Sequence, residues 1–120
     1  ETPEKSATIN MENGIKSVFH NDKFVGVVFA SNNKNNVRLY NVDGKQILSE
    51  TFEGEYNNIK IEKNQIIMFD GKMCNIIGKN GVNKFQGELE SDIMDMIPLP
   101  GINKYLVINA NGLEEVRFAK

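Results

Sequence analysis

Four groups of side chains in this 120-residue chain have types and spacings that can do chemistry. His20, two positions before Asp22, has the makings of a base in a dyad, although beside Asn21 at a strand end it also reads as a surface turn residue. Cys74 is a potential nucleophile, but Met73-Cys74-Asn75-Ile76-Ile77 supplies neither the adjacent base nor the positive setting that a thiolate needs. That setting describes a buried, inert strand cysteine. Glu88, Glu90, Asp92 and Asp95 are the third group: positions 88, 90 and 92 share one face of a regular strand, and converging carboxylates can hold a calcium ion. The same segment also reads as a solvated edge between two strands, where a turn breaks the register. The fourth group is the polar loop Asn32-Asn33-Lys34-Asn35-Asn36, whose amides at Asn32, Asn33, Asn35 and Asn36 suit contact with sugar hydroxyls or a peptide backbone. Read without a ligand, it is a solvent-exposed connection.

Composition narrows the classes. With 14 basic and 16 acidic residues spread along the chain, the formal charge is −2, and no basic run offers a grip on a phosphate backbone. Nucleic acid is not an expected partner. A single histidine and a single cysteine are too few soft ligands for zinc or copper, and neither a phosphate-binding loop, a dinucleotide fingerprint nor a nucleophile elbow is written in the sequence. No cofactor, no metal and no catalytic set are expected. No apolar run reaches the roughly 18 residues that span a bilayer, and the first residue is Glu1, from which removal of an upstream segment is expected.

The elements that must position these groups are strands. Lys23–Phe29, Asn64–Phe69 and Lys104–Asn109 are apolar runs whose last residues, Phe29, Phe69 and Asn109, fall 40 positions apart. Such a period with several short strands per repeat is the signature of propeller blades. Asn13-Gly14, Asp43-Gly44, Asp70-Gly71, Asn80-Gly81 and Asn111-Gly112 are two-residue turn signals, which make the chain an antiparallel meander. The expected repeats cover 5–42, 45–78 and 82–119. Their strands lie near 7–12, 15–20, 23–30 and 37–42; then 46–52, 57–62, 65–70 and 73–78; then 82–89, 92–97, 103–109 and 113–119. The three apolar runs predict strands buried on both faces. The polar opening strands, as in Ser49-Glu50-Thr51-Phe52, predict blade rims, so each sequence unit runs from the outer strand of one blade into the inner, second and third strands of the next. Pro98-Leu99-Pro100-Gly101 is a rigid corner before the last apolar strand.

Gly14-Ile15-Lys16-Ser17-Val18-Phe19, the run Lys23 to Phe29, Tyr40-Asn41-Val42-Asp43-Gly44-Lys45 and Lys104-Tyr105-Leu106-Val107-Ile108 carry a resemblance. The chain resembles domain-of-unknown-function family 5711, a bacterial family similar to quinoprotein-type propellers behind an N-terminal membrane anchor. The resemblance implies the C-terminal portion of a longer propeller and an extracellular or cell-surface location. It implies no catalytic residues, and membrane attachment only through an anchor that this chain lacks.

The expectation is therefore an all-β chain of three four-stranded antiparallel repeats, a partial β-propeller or half of a dimeric one. Three blades cannot close a ring, so either upstream blades of the same chain are missing or a homodimer completes six, with Ser6–Met11 finishing the partner's last blade. A monomeric mass at micromolar concentration would count against the dimer. The expected function is a non-catalytic, surface-exposed scaffold binding a protein or cell-envelope ligand. The alternatives are a barrel holding a small apolar ligand, which demands strict in–out alternation along every strand, and a fragment of an enzymatic propeller.

Overall fold

The computed structural model describes residues 14–78 and 80–118, and among these there is no helix. Eleven strands follow one another: β1 (Ser17–His20), β2 (Phe24–Ser31), β3 (Lys34–Asn41), β4 (Gln46–Phe52), β5 (Asn58–Glu62), β6 (Gln65–Asp70), β7 (Met73–Gly78), β8 (Asn83–Glu88), β9 (Asp95–Pro98), β10 (Lys104–Asn109) and β11 (Gly112–Arg117). They pair antiparallel into three sheets, ordered β1-β2-β3-β4, β5-β6-β7-β8 and β11-β10-β9. The expected strand near 7–12 and the dimer contact drawn from Ser6–Met11 lie outside the described residues. Every other expected strand is present.

Hydrogen bonding groups the strands with the offset that the polar opening strands predict. The polar strands β4 and β8, which open the second and third sequence units, close the first and second sheets as their edge strands. That is where polar strands belong, because an edge exposes backbone groups that apolar side chains would turn into a template for aggregation.

The repeat is sharper in the backbone than in the sequence. The hairpins joining the second and third strands of each group close at Ser31↔Lys34, Asp70↔Met73 and Asn109↔Gly112, an interval of 39 residues in both steps rather than 40. A second device recurs at an interval of 37. In the first sheet the amide of Asn41 donates to the Lys45 carbonyl at 2.9 Å and that of Gly44 to Asn41 at 3.0 Å; in the second, Gly78 donates to Val82 at 2.8 Å and Gly81 to Gly78 at 2.9 Å. Both turns follow a bulge, at Leu39/Tyr40 and at Ile76/Ile77. The extra residue increases the local twist as each sheet reaches its edge.

The chain divides into two compact units, at Glu53/Gly54. In the first unit Val37 and Leu39 are fully buried, and Phe19, Phe29, Leu48 and Phe52 nearly so. The Arg38 guanidinium lies 4.6 Å from the centre of the Phe29 ring, a cation–π distance. Phe19 stands opposite Gly26, and a Cβ added there would come within 2.1 Å of the ring. The glycine is what lets the ring lie flat on β2.

The second unit holds two sheets face to face. Ile67 and Phe69 of β6 and Cys74 and Ile76 of β7 meet Met96, Tyr105, Val107 and Phe118, with Ile93 closing the cluster. Ile66 and Met68, on the opposite face of β6, are also fully buried. So β6 is buried on both faces, as its unbroken apolar run predicts. On β2 only Gly26–Phe29 are, and Val25 is exposed. On β10 the expectation fails: Tyr105 and Val107 are buried while Leu106 and Ile108 remain half-exposed. An apolar run signals that burial is tolerated on both sides, and packing decides whether it happens.

Candidate functional site

The residues singled out by sequence do not gather into one site. His20 ends β1 and is exposed, as is Asp22 in the following turn. That turn is held by Asn21, whose Oδ1 accepts from the amides of Lys23 at 2.9 Å and Phe24 at 2.8 Å. An aspartate or asparagine closing its own turn in this way is local backbone chemistry. Cys74 is fully buried between the sheets, and burial pushes its thiol up to about 11.

The four acidic residues are spread over a strand end, a connection and a strand start: Glu88 ends β8, Glu90 and Asp92 lie between β8 and β9, and Asp95 opens β9. Among the described residues no three or more histidine, cysteine or carboxylate side chains converge as a metal site would require. Asp95 is taken by Lys60, whose Nζ donates to its Oδ1 at 2.8 Å and also lies 2.7 Å from Glu62. Burial would lower the Lys60 ammonium, but the hydrogen bonds to Asp95 and Glu62 outweigh it and hold the group above its ordinary value.

The polar segment 32–36 is a tight hairpin and not a long loop. Asn32 and Asn33 both sit at positive φ, 51° and 68°, as the two central residues of a type I′ turn do. Lys34 already starts β3. Asn35 is 4% exposed and its Oδ1 accepts from Lys16 Nζ at 2.8 Å. Asn36 accepts from the Ser49 hydroxyl at 3.3 Å. Two of the four amides are therefore committed to the fold, and the exposed pair forms a narrow tip.

A concavity of ligand size lies elsewhere, at one end of the second unit. In a meander every second turn returns to the same end of the sheet. The β5–β6 turn (Lys63, Asn64), the β7–β8 turn (Gly78, Asn80, Val82) and the β9–β10 loop (Ile102, Asn103) meet there around a cleft of about 470 Å³. Gln65, Asn83 and Lys84, the first residues of the returning strands, complete its wall. Its size falls within the range of small-ligand sites, roughly 300–1,000 Å³. Lys63, Asn64 and Asn103 all hold positive φ, between 49° and 61°; Lys63 and Asn64 are exposed at their tight turn, whereas Asn103 is 9% exposed.

The polar groups of this cleft are anchored from behind. The Tyr105 hydroxyl, from the core of the facing sheet, hydrogen-bonds to Gln65 Oε1. Asn83 Nδ2 donates to Oδ1 of the fully buried Asn75 at 2.7 Å. Asn80 Oδ1 accepts from the Val82 amide. Side chains restrained in this way present the rest of their hydrogen-bonding capacity at little further cost in entropy. Burial, its largest cause, raises the Tyr105 phenol above its ordinary value, keeping it a neutral donor.

Sequence reasoning missed these residues because Lys63-Asn64 is not a familiar turn pair. Its positive φ values are imposed by the hairpin register Glu62↔Gln65. The available signal was parity: polar turns at alternate positions along a meander share one end.

Over residues 1–118 the sequence matches the model of a family of unknown function, DUF5711. No curated protein matches the chain.

Proposed function

The chain belongs to the DUF5711 family, and we propose that it is a portion of a β-propeller acting as a non-catalytic scaffold, which binds a protein or cell-envelope ligand through the turns at one end of its sheets. Each sheet is one blade, and further blades, from a longer chain or a second copy, complete the ring. The sequential up-and-down strand order, polar edge strands and a middle strand buried on both faces support the blade reading. Sheet β11-β10-β9 stops one strand short of the other two, and β11 is exposed along nearly its whole length. A location on the extracellular or cell-surface side of a membrane-anchored protein, as the family resemblance implies, is part of the same proposal. No helix among the described residues is long and apolar enough to cross a membrane.

The observation that carries the binding reading is the cleft itself: four asparagines, one glutamine and two lysines drawn from three separate turns. Loops held by a rigid scaffold are where recognition concentrates. The test is co-sedimentation of the chain with isolated bacterial envelope material. The chain should pellet with it, and the double variant Lys63→Glu, Lys84→Glu should remain largely in the supernatant. A third variant at the hairpin tip, Asn32→Asp, should pellet like the unaltered chain. Equal sedimentation of all three, or of none, contradicts the reading.

A further inference from the structure

From the chemistry of this cleft we infer its ligand class: a short acidic saccharide, a run of sugar rings carrying carboxylates. The inference rests on the scaffold reading above and specifies what the scaffold holds.

Charge comes first. Lys63 and Lys84 flank the cleft, and no carboxylate lines it. The nearby acids are engaged elsewhere, Glu62 with Lys60 at 2.7 Å and Glu115 with Lys104 at 3.6 Å. Among the described residues Lys63 and Lys84 have no ion-pair partner, although acidic residues outnumber basic ones in the chain. Two unspent cations on one concavity favour an anion.

The amides argue for a sugar and against a bare anion. An amide side chain carries a carbonyl acceptor and two N–H donors, and neighbouring sugar hydroxyls each donate one hydrogen bond and accept others. Gln65 spends its Oε1 on Tyr105 and Asn80 its Oδ1 on Val82, which leaves their NH2 groups as donors. Asn83 spends an N–H on Asn75, which leaves its carbonyl as an acceptor. The wall thus offers both senses of hydrogen bond at fixed places. Phosphate near neutral pH accepts through most of its oxygens and donates through one or two O–H groups, too few and too close together to use donors and acceptors spread over three turns.

Apolar contact completes the match. Ile102 is 78% exposed and Val82 50% exposed, both on the rim. Aliphatic side chains set beside amides suit the C–H faces of sugar rings. The lining holds no aromatic ring of the kind on which nucleic-acid bases stack.

The test is titration of the isotope-labelled chain with a galacturonate trimer, followed by amide and asparagine side-chain resonances. Maltotriose and inorganic phosphate serve as separate arms. The trimer should shift resonances in 63–65, 80–84 and 101–103 and leave the hairpin at 31–34 unmoved. Maltotriose and phosphate should each bind at least about tenfold more weakly, and Lys63→Glu with Lys84→Glu should weaken the trimer by a similar factor, as expected for loss of charge-assisted contacts. Raising the salt from 20 to 300 mM should also weaken it, because Lys63 is exposed and Lys84 only partly buried. Absence of trimer-induced shifts at the cleft, or phosphate binding as tightly as the trimer, overturns the inference. If the trimer fails while the unaltered chain still pellets with envelope material and the lysine variant does not, the ligand class falls and the scaffold reading stands. If both fail, both readings fall.

Discussion

Replacing Tyr105 by alanine lowers the unfolding free energy by about 3–5 kcal/mol, the usual cost of deleting a large buried aromatic side chain. Tyr105 is 1% exposed, in the cluster that joins the two sheets of the second unit. Its ring lies 5.4 Å from that of Phe118, which in turn stacks on Phe85 of β8 at 4.1 Å. The deletion therefore opens a cavity bordered by rings that cannot all close over it. A domain of this size is stable by about 5–15 kcal/mol, so the variant is partly unfolded on gentle warming. Tyr105→Phe separates packing from hydrogen bonding: it keeps the ring and costs about 0.5–1.5 kcal/mol for the lost bond to Gln65. Urea titrations of both variants check this. A loss below about 1.5 kcal/mol for the alanine variant would mean that the sheets do not pack through Tyr105.

The second large effect is alkaline. The Cys74 thiol is raised by burial from 9.0 to about 11 in the folded chain. A folded-state value above the unfolded one means that the native state holds its proton more tightly. The stabilisation is thus complete below about pH 9 and is lost as pH rises towards 11. Two units correspond to about 3 kcal/mol. Burial also raises the phenols of Tyr56 and Tyr105, so their contributions fall away in the same direction at still higher pH. Urea midpoints measured from pH 8 to 11 under reducing conditions should fall steeply for the unaltered chain. For Cys74→Ala they should start lower, because a small cavity is left, and fall less between pH 9 and 10. Identical slopes would show that the thiol ionises as freely in the native state as in the unfolded one.

Much of the fold was legible in the sequence, and for identifiable reasons. The strands at 46–52, 65–70 and 73–78 lie where the alternation and turn signals put them. Asp70-Gly71 signals its hairpin one residue early: Asp70 still pairs with Met73, and the turn residues are Gly71, at a φ of 57°, and Lys72. The grouping of β4 and β8 was also legible, because the polarity of these two strands marks them as outer strands, and their hydrogen bonds to the preceding strand make them edges of the first and second sheets. The double burial of β10 was overread, because Tyr105-Leu106-Val107-Ile108 is compatible with one buried face or two.

The cleft was least legible. Its lysines and amides come from turns up to 40 residues apart, from Lys63 to Asn103, and become neighbours through the meander and the packing of two sheets. Asn32, Asn33, Asn35 and Asn36 drew attention by clustering in sequence, yet Asn35 is buried and Asn36 bonds to Ser49. Adjacency in sequence concentrates polar groups on one hairpin. Recognition needs them converging from several.

Binding at the cleft depends on a rigid support: turns can hold a ligand in place only if the strands behind them do not open. Native-state hydrogen exchange of individual amides at low denaturant tests this most directly. The amides of Ile66–Phe69 and Cys74–Ile77 should exchange only through global unfolding, with free energies matching the urea value. Those of the edge strand β8 should open at a fraction of it. Exchange from β6 and β7 as fast as from β8 would contradict the doubly buried middle strand, and with it the scaffold on which the cleft is built.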